Sequence, residues 1–330
     1  MLSSPGKTLA PWRIGVLFSR TGFMSVIEET QYHGTMFAIE EINAAGGING
    51  RELIPVIYDP GSEAMAFGHF AKRLMIEDNV STIFGCYTSS SRKAVLPVVE
   101  RLNGLLWYPT LYEGFEASPN VIYTGAAPNQ NSLALCRFLM KTYGNRFYFV
   151  GSDYIYPHES NRVMREILKE NGGSVAGERY LNIRARRQDF LPIVNEIRRL
   201  QPDVIFSTVV GDGTVFLYQA YTEAGLDPRT MPIASLTTTE AEIAPWGSTS
   251  AKDTLPPHLI SRALPEMATR HSLPNSRNVS AMIARRTCVS SRRTSSFICS
   301  QKRLSMQTRS TPTSCAPWCW APPSMLRKDR

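Results

Sequence analysis

No stretch of the 330 residues approaches the roughly 18 consecutive apolar positions of a membrane-spanning helix, so none is expected. Cysteine pairs at CxxC spacing are lacking, and the five histidines stand apart at 33, 69, 158, 258 and 271. Zinc-type ligand spacing is therefore missing, and no metal or other cofactor is expected. Gly211-Asp212-Gly213 lacks the third glycine and the Lys-Ser/Thr of a phosphate-binding loop. Paired carboxylates at facing strand ends are also lacking, Asp153 and Glu113 being the nearest. A bound ammonium would need such a partner, and a bound carboxylate would want Arg or Lys. A secretory leader is lacking too, since Pro5, Lys7, Pro11 and Arg13 interrupt the first residues. That makes a cytoplasmic protein the expectation, with a periplasmic one if the true start lies upstream.

What is present begins with an uneven charge. From Pro245 to Arg330 there are 14 Lys and Arg against 3 Asp and Glu, while the rest of the chain carries 22 against 25. A basic surface for nucleic acid would have to be this tail. The cysteines are concentrated there as well: Cys288, Cys299, Cys315 and Cys319, against Cys86 and Cys136 upstream. The latter two read as small buried residues of a reduced protein.

Up to Ala244, short apolar runs alternate with helical periodicity. Strands are predicted at Arg13–Ser19, Glu52–Asp59, Ser81–Tyr87, Leu105–Thr110, Val121–Ala127, Arg146–Asp153, Ser174–Leu181, Val204–Gly211 and Pro232–Thr238. Helices are predicted at Glu28–Ala45, Met65–Glu77, Ser90–Asn103, Pro128–Tyr143, His158–Asn171, Asp189–Leu200 and Asp212–Ala224. Pro97 should kink its helix or mark its local start. The class is α/β with mostly parallel sheets flanked by helices, in two lobes, 12–127 and 128–244.

Beyond Ala244 the periodicity stops, and 245–330 is rich in Ser, Arg, Pro and Thr. A disordered basic tail, a separate small domain and out-of-frame translation after a frameshift compete as readings, and the expectation is the last, an out-of-frame and disordered tail. Cys and Trp between Pro317 and Ala321 speak against a selected disordered tail.

The predicted strands end in uncharged hydroxyls and tyrosines. Tyr87-Thr88-Ser89 and Tyr108-Pro109-Thr110 do so in the first unit, and Tyr154-Ile155-Tyr156, Thr208-Val209-Val210 and Ser235 to Thr239 in the second. Ligands in open α/β sheets bind outside the carboxyl ends of strands. A small amide offers one carbonyl acceptor and two N–H donors, which hydroxyls, backbone amides and tyrosine walls can match. The residues alone leave a binding site and ordinary strand-end positions both open. Cys86 as a nucleophile has no histidine at a neighbouring strand end to activate it.

Several segments carry a family resemblance: GTMFAIEEINAAGGINGREL (Gly34–Leu53), SRKAVLPVVERLNGLLWYPTLYEGFEASPNVIYTGAAPNQN (Ser91–Asn131), GSDYIYPHESNRVMR (Gly151–Arg165), FSTVVGDGT (Phe206–Thr214) and PIASLTTTEAE (Pro232–Glu242). On these, Arg13 to about Ala244 resembles the amide and urea receptors of the type I periplasmic-binding-protein family, most of all its cytoplasmic amide sensor of amidase operons. The resemblance implies a non-enzymatic, two-lobed receptor for a small aliphatic amide or urea. It implies Tyr87, Ser89, Tyr108 and Thr110 as first-lobe contacts, and Tyr154, Tyr156, Val210 and Thr238 as second-lobe contacts. It also implies an RNA-binding antitermination protein as partner, released when amide binds, and no direct contact with nucleic acid or membrane; a homo-oligomer is allowed. The substrate-binding subunit of an amide, urea or branched-chain amino acid ABC transporter is the alternative. Leu111 departs from the sensor's pattern, where a second proline stands. The tail from Pro245 departs altogether, which leads us to expect uncovered lobe faces and, with net stability of only ~5–15 kcal/mol, a poorly folded product.

Overall fold

The computed structural model describes residues 10–239 and Glu242; the tail 245–330, with the expectations placed on it, lies outside them. All described residues belong to one compact unit. Nine strands alternate with seven helices among them: β1 (Trp12–Leu17), α1 (Ser25–Ala44), β2 (Leu53–Tyr58), α2 (Ala64–Ile76), β3 (Thr82–Gly85), α3 (Ser89–Arg101), β4 (Leu105–Tyr108), β5 (Val121–Tyr123), α4 (Ser132–Thr142), β6 (Arg146–Ser152), α5 (Ile155–Glu170), β7 (Ser174–Leu181), α6 (Arg187–Leu200), β8 (Val204–Thr208), α7 (Asp212–Glu223) and β9 (Ile233–Ser235). No helix among the described residues is long and apolar enough to cross a membrane.

The strands form two sheets, ordered β2-β1-β3-β4-β5 and β7-β6-β8-β9, and every ladder is parallel. Parallel ladders need crossover helices, which cover both faces. In the first sheet, Leu17, Ile83 and Leu106 pack with Phe67, Leu74, Val95 and Val99 of α2 and α3. On the other face Ile14, Val16 and Trp107 pack with Ile39 and Ile42 of α1. In the second sheet, Tyr148, Val150 and Ile205 meet α6 and α7, while Phe147, Phe149 and Phe206 meet Cys136, Leu139, Met164 and Leu168 of α4 and α5. Helices of the described residues thus lie on both faces of each sheet, while Phe37, Met65, Ile76 and Phe115 are exposed.

Local chemistry explains where two helices depart from the sequence reading. α3 contains Pro97 in its interior instead of starting there; its start is fixed by Thr88, whose hydroxyl accepts from the Ser91 N–H at 3.1 Å. α5 begins at Ile155, three residues earlier than the periodicity suggests. Pro157 lies in its first turn, where the missing N–H would have had no helical partner anyway. Tyr156 therefore sits on a helix and not in a loop.

Candidate ligand-binding site

Each sheet changes direction of strand order at one place. The first does so between β1 and β3, the second between β6 and β8. Crevices outside the carboxyl ends at such points are where open α/β sheets take ligands. Leu17, Gly85, Ser152 and Thr208 end those four strands.

At the first of these points the backbone is tightly constrained. A Cβ on Gly85 would stand 2.2 Å from the Leu17 carbonyl, and the Cys86 N–H donates to that carbonyl at 3.0 Å. Cys86 is held at φ 67°, an uncommon conformation for a non-glycine residue. This turn throws Tyr87 across the crevice. Burial, followed by the negative charge of Glu28, pushes the Cys86 thiol far up, so it stays protonated and cannot act as a nucleophile.

Tyr87 packs with Met24, Ile27 and Val210, and with the half-buried Phe23, Tyr154 and Ile183. Two of the expected contacts from the second sheet, Val210 and Tyr154, therefore meet the first sheet here. Val210 is positioned by its N–H, which donates to the Ser152 hydroxyl at 3.2 Å. The Tyr108 hydroxyl donates to the Tyr87 carbonyl at 2.6 Å, and the Tyr154 and Tyr156 rings lie 6.5 Å apart. All four phenols are pushed up, first by burial; Tyr156 and Tyr108 add to this for Tyr154, and Tyr154, Tyr156 and Tyr108 for Tyr87. Tyr87, Tyr108 and Tyr156, all buried, thus form one uncharged cluster with the half-buried Tyr154. The Tyr156 hydroxyl has no well-formed hydrogen bond among the described residues, and the Ser160 side chain, one turn along α5, is its polar neighbour.

Ser89 joins this cluster through a group that sequence reasoning had set aside. Its hydroxyl donates to Glu113 Oε2 at 2.7 Å, and Glu113 is near enough to Tyr108, Tyr154 and Tyr156 to act on all three. Arg92, fully buried, donates to Glu113 Oε1 at 2.7 Å and to Glu116 Oε1 at 2.8 Å. Its guanidinium lies over the Tyr108 ring, 4.9 Å from the centroid. Burial alone would raise the Glu116 carboxyl, yet hydrogen bonds from Tyr123, Lys93 and Arg92 hold it at about 2. Sequence reasoning expected no charge pair here. The pair exists because the loop after β4 folds back onto the first turns of α3, a contact over 21 residues that no local pattern announces.

The two remaining expected residues stand less centrally. Thr110 is buried, and its carbonyl abuts Gly125, where a Cβ would come within 2.0 Å; its side chain makes no hydrogen bond among the described residues. Thr238 is buried beside Tyr218, and its N–H donates to the Ser235 hydroxyl. Tyr218 and Tyr87 both feel Glu242, which burial pushes up to about 7 against the N–H of Thr239.

Beside the tyrosines lies a cavity of about 180 Å³, lined by Phe23, Met24, Val26, Ile27, Gly211, Asp212, Val215 and Glu242. It is closed by the approach of two loops, one from each sheet. A Cβ on Gly211 would meet the Phe23 carbonyl at 2.6 Å, and Gly211 has φ 62°. Gly211-Asp212-Gly213 is therefore a contact point between the sheets and not a phosphate loop. Phe23, Met24, Ile27 and Glu242 were missed in the sequence because they precede or follow strands at no recognisable spacing.

No group of three or more His, Cys, Asp or Glu among the described residues could hold a metal ion.

Known proteins bear on this architecture. The family model described as a periplasmic binding protein domain matches residues 12–259, running past Ala244. The Leu/Ile/Val-binding protein homolog 7 of Brucella melitensis is 32% identical over 108 residues, 33% of this chain and 27% of that protein. This chain thus matches about a quarter of that curated relative's length. An amino acid ABC transporter substrate-binding protein of Pseudomonas fluorescens superposes with a TM-score of 0.66 at 17% identity, covering 84% of this chain and 79% of that one. The branched-chain amino acid receptor LivJ of Streptococcus pneumoniae, in complex with isoleucine, gives 0.61 at 18%, covering 68% and 64%. A solute-binding protein of an ABC transporter from R. palustris, in complex with 4-hydroxybenzoate, gives 0.60 at 19%, covering 71% and 62%. With a switch point in the strand order of each sheet and a family match over most of its length, the chain belongs to the periplasmic-binding-protein domain family.

Proposed function

We propose that this protein is a solute receptor for a small, uncharged amide or urea, acting as the substrate-binding partner of an ABC importer. The observation that carries the proposal is the cluster of buried Tyr87, Tyr108 and Tyr156 with half-buried Tyr154 beside the two switch points, with Ser89 at its edge. Such walls exclude water and offer oxygen donors and acceptors without a net charge. Arg92 and Lys93 are matched by Glu113 and Glu116, so no unpaired cation waits there for an anionic ligand. The transport role is supported by relatives that are receptors of ABC transporters.

A second reading is supported by the Ser91–Asn131 and Gly151–Arg165 motifs. In it the same amide switches a complex with an RNA-binding antitermination protein. The comparisons offer nothing toward that partner. Genes for an amidase and an antiterminator next to this one would favour regulation, and permease genes would favour import.

The test is calorimetric titration of the full chain with acetamide, propionamide, butyramide and urea. A ligand of about four heavy atoms, at a ceiling near 1.5 kcal/mol per atom, reaches only about 6 kcal/mol, or a Kd of roughly 40 μM. Saturable binding in that range or weaker is expected; no response to any of the four rejects the proposal.

A further inference from the structure

We infer that Glu113 fixes the hydrogen-bonding polarity of Ser89, so that the first-sheet half of the site takes an N–H-bearing group and rejects a carboxylate of the same shape. The inference rests on the amide reading, in which the ligand lies against Ser89 and Tyr108.

A serine hydroxyl has one proton to give and two lone pairs. The Ser89 proton is committed to Glu113 Oε2 at 2.7 Å, in a place where Ser89 is 1% and Glu113 4% exposed. The other Glu113 oxygen accepts from Arg92 Nη2 at 2.7 Å, and a guanidinium is always charged and only donates. Turning the Ser89 proton toward a ligand would strand a buried carboxylate oxygen without its donor, the costlier arrangement. Arg92 Nη1 donates to the Ser89 hydroxyl as well, at 3.5 Å, so Ser89 shows a ligand its one remaining lone pair. Tyr108 is committed in the same manner, since its proton goes to the Tyr87 carbonyl at 2.6 Å.

Acceptors at Ser89 and Tyr108 suit the two N–H donors of a primary amide or one edge of urea. A carboxylate brings lone pairs against lone pairs. It also finds no compensating charge, because the guanidinium behind Ser89 is taken by Glu113 and Glu116. The filter is thus one of proton placement, and it separates an amide from the isosteric acid without any steric difference.

Replacing Glu113 by glutamine should invert this polarity. Arg92 only donates, so the new side chain must turn its oxygen toward Arg92 and its NH2 toward Ser89. Ser89 then accepts, and its own proton is released toward the cleft. Propionamide and propionate are the probes, titrated calorimetrically into the full chain, with a circular dichroism melt of each variant. The natural chain should bind propionamide at least 100-fold tighter than propionate. In Glu113→Gln that ratio should fall at least tenfold, with propionamide weakened. Ser89→Ala should weaken propionamide without strengthening propionate, and it serves as the test if Glu113→Gln does not fold. Equal binding of amide and acid by the natural chain overturns the inference while leaving the receptor reading in place. So does an unchanged ratio in a folded Glu113→Gln, or unchanged propionamide binding in Ser89→Ala. A chain that binds no amide or urea at all overturns the reading beneath it.

Discussion

Glu28 lies in the first turn of α1, 1% exposed, and accepts the Ser19 N–H at 2.6 Å. Burial pushes its carboxyl from 4.5 up to about 8, the Ser19 hydrogen bond only partly opposing it. The unfolded chain releases this proton near 4.5 and the folded chain near 8, so the folded state holds more protons in between. Stability should therefore fall as pH rises from about 4.5 to 8 and flatten above. Glutamine can still accept from Ser19 without the charge. Glu28→Gln should remove most of that slope and make the chain more stable than the natural one at pH 8.5, by up to about 4 kcal/mol. Thermal melts at pH 5, 7 and 8.5 measure this, and parallel slopes for both proteins would contradict it. At this scale the sequence was half legible. Tyr108 ends a strand, and Tyr87, Tyr154 and Val210 lie within two residues of one, so apolar runs locate them, whereas Tyr156 stands on α5; the roles expected of all five came from the family resemblance. Arg92, Glu113 and Glu242 could not, because their importance comes from partners on other elements.

Elements were read with more success, since buried parallel strands and amphipathic crossover helices leave strong local patterns. The boundaries that moved by three residues or more include the starts of α1 at Ser25, α4 at Ser132 and α5 at Ile155, and the ends of β5 at Tyr123, β8 at Thr208 and β9 at Ser235. What no pattern could show is how loops from different sheets meet. Gly211 is the clearest case, with φ 62° and no room for a Cβ beside the Phe23 carbonyl. Gly211→Ala should push the β1–α1 and β8–α7 loops apart while both sheets stay folded. Amide binding is expected to weaken about tenfold or more, with a loss of stability of only about 1–3 kcal/mol. Calorimetry together with a melt separates the two effects; unchanged affinity would show that this contact plays no part in closing the site.

For the whole molecule, the tail led us to expect poor folding, whereas α1 to α7 cover both faces of each sheet. Packing of this extent outweighs the tail in our account, and the full chain should unfold in a cooperative transition. Aggregation without a transition would restore the expectation drawn from the tail. Ion pairs such as Arg184 with Glu63, both well exposed, should add little to that transition. The α/β class was legible over 12–244, because each strand–helix unit announces itself. The ligand class was not fully legible, since it depends on which way two buried hydroxyl protons point.

The central claim, a neutral-solute receptor, is tested most directly by titrating the full chain with propionamide and with isoleucine under identical conditions. The account predicts saturable heat with propionamide, whose five heavy atoms set a ceiling of about 3 μM, at that Kd or weaker, and none with isoleucine. Saturation by isoleucine with silence from propionamide would contradict it.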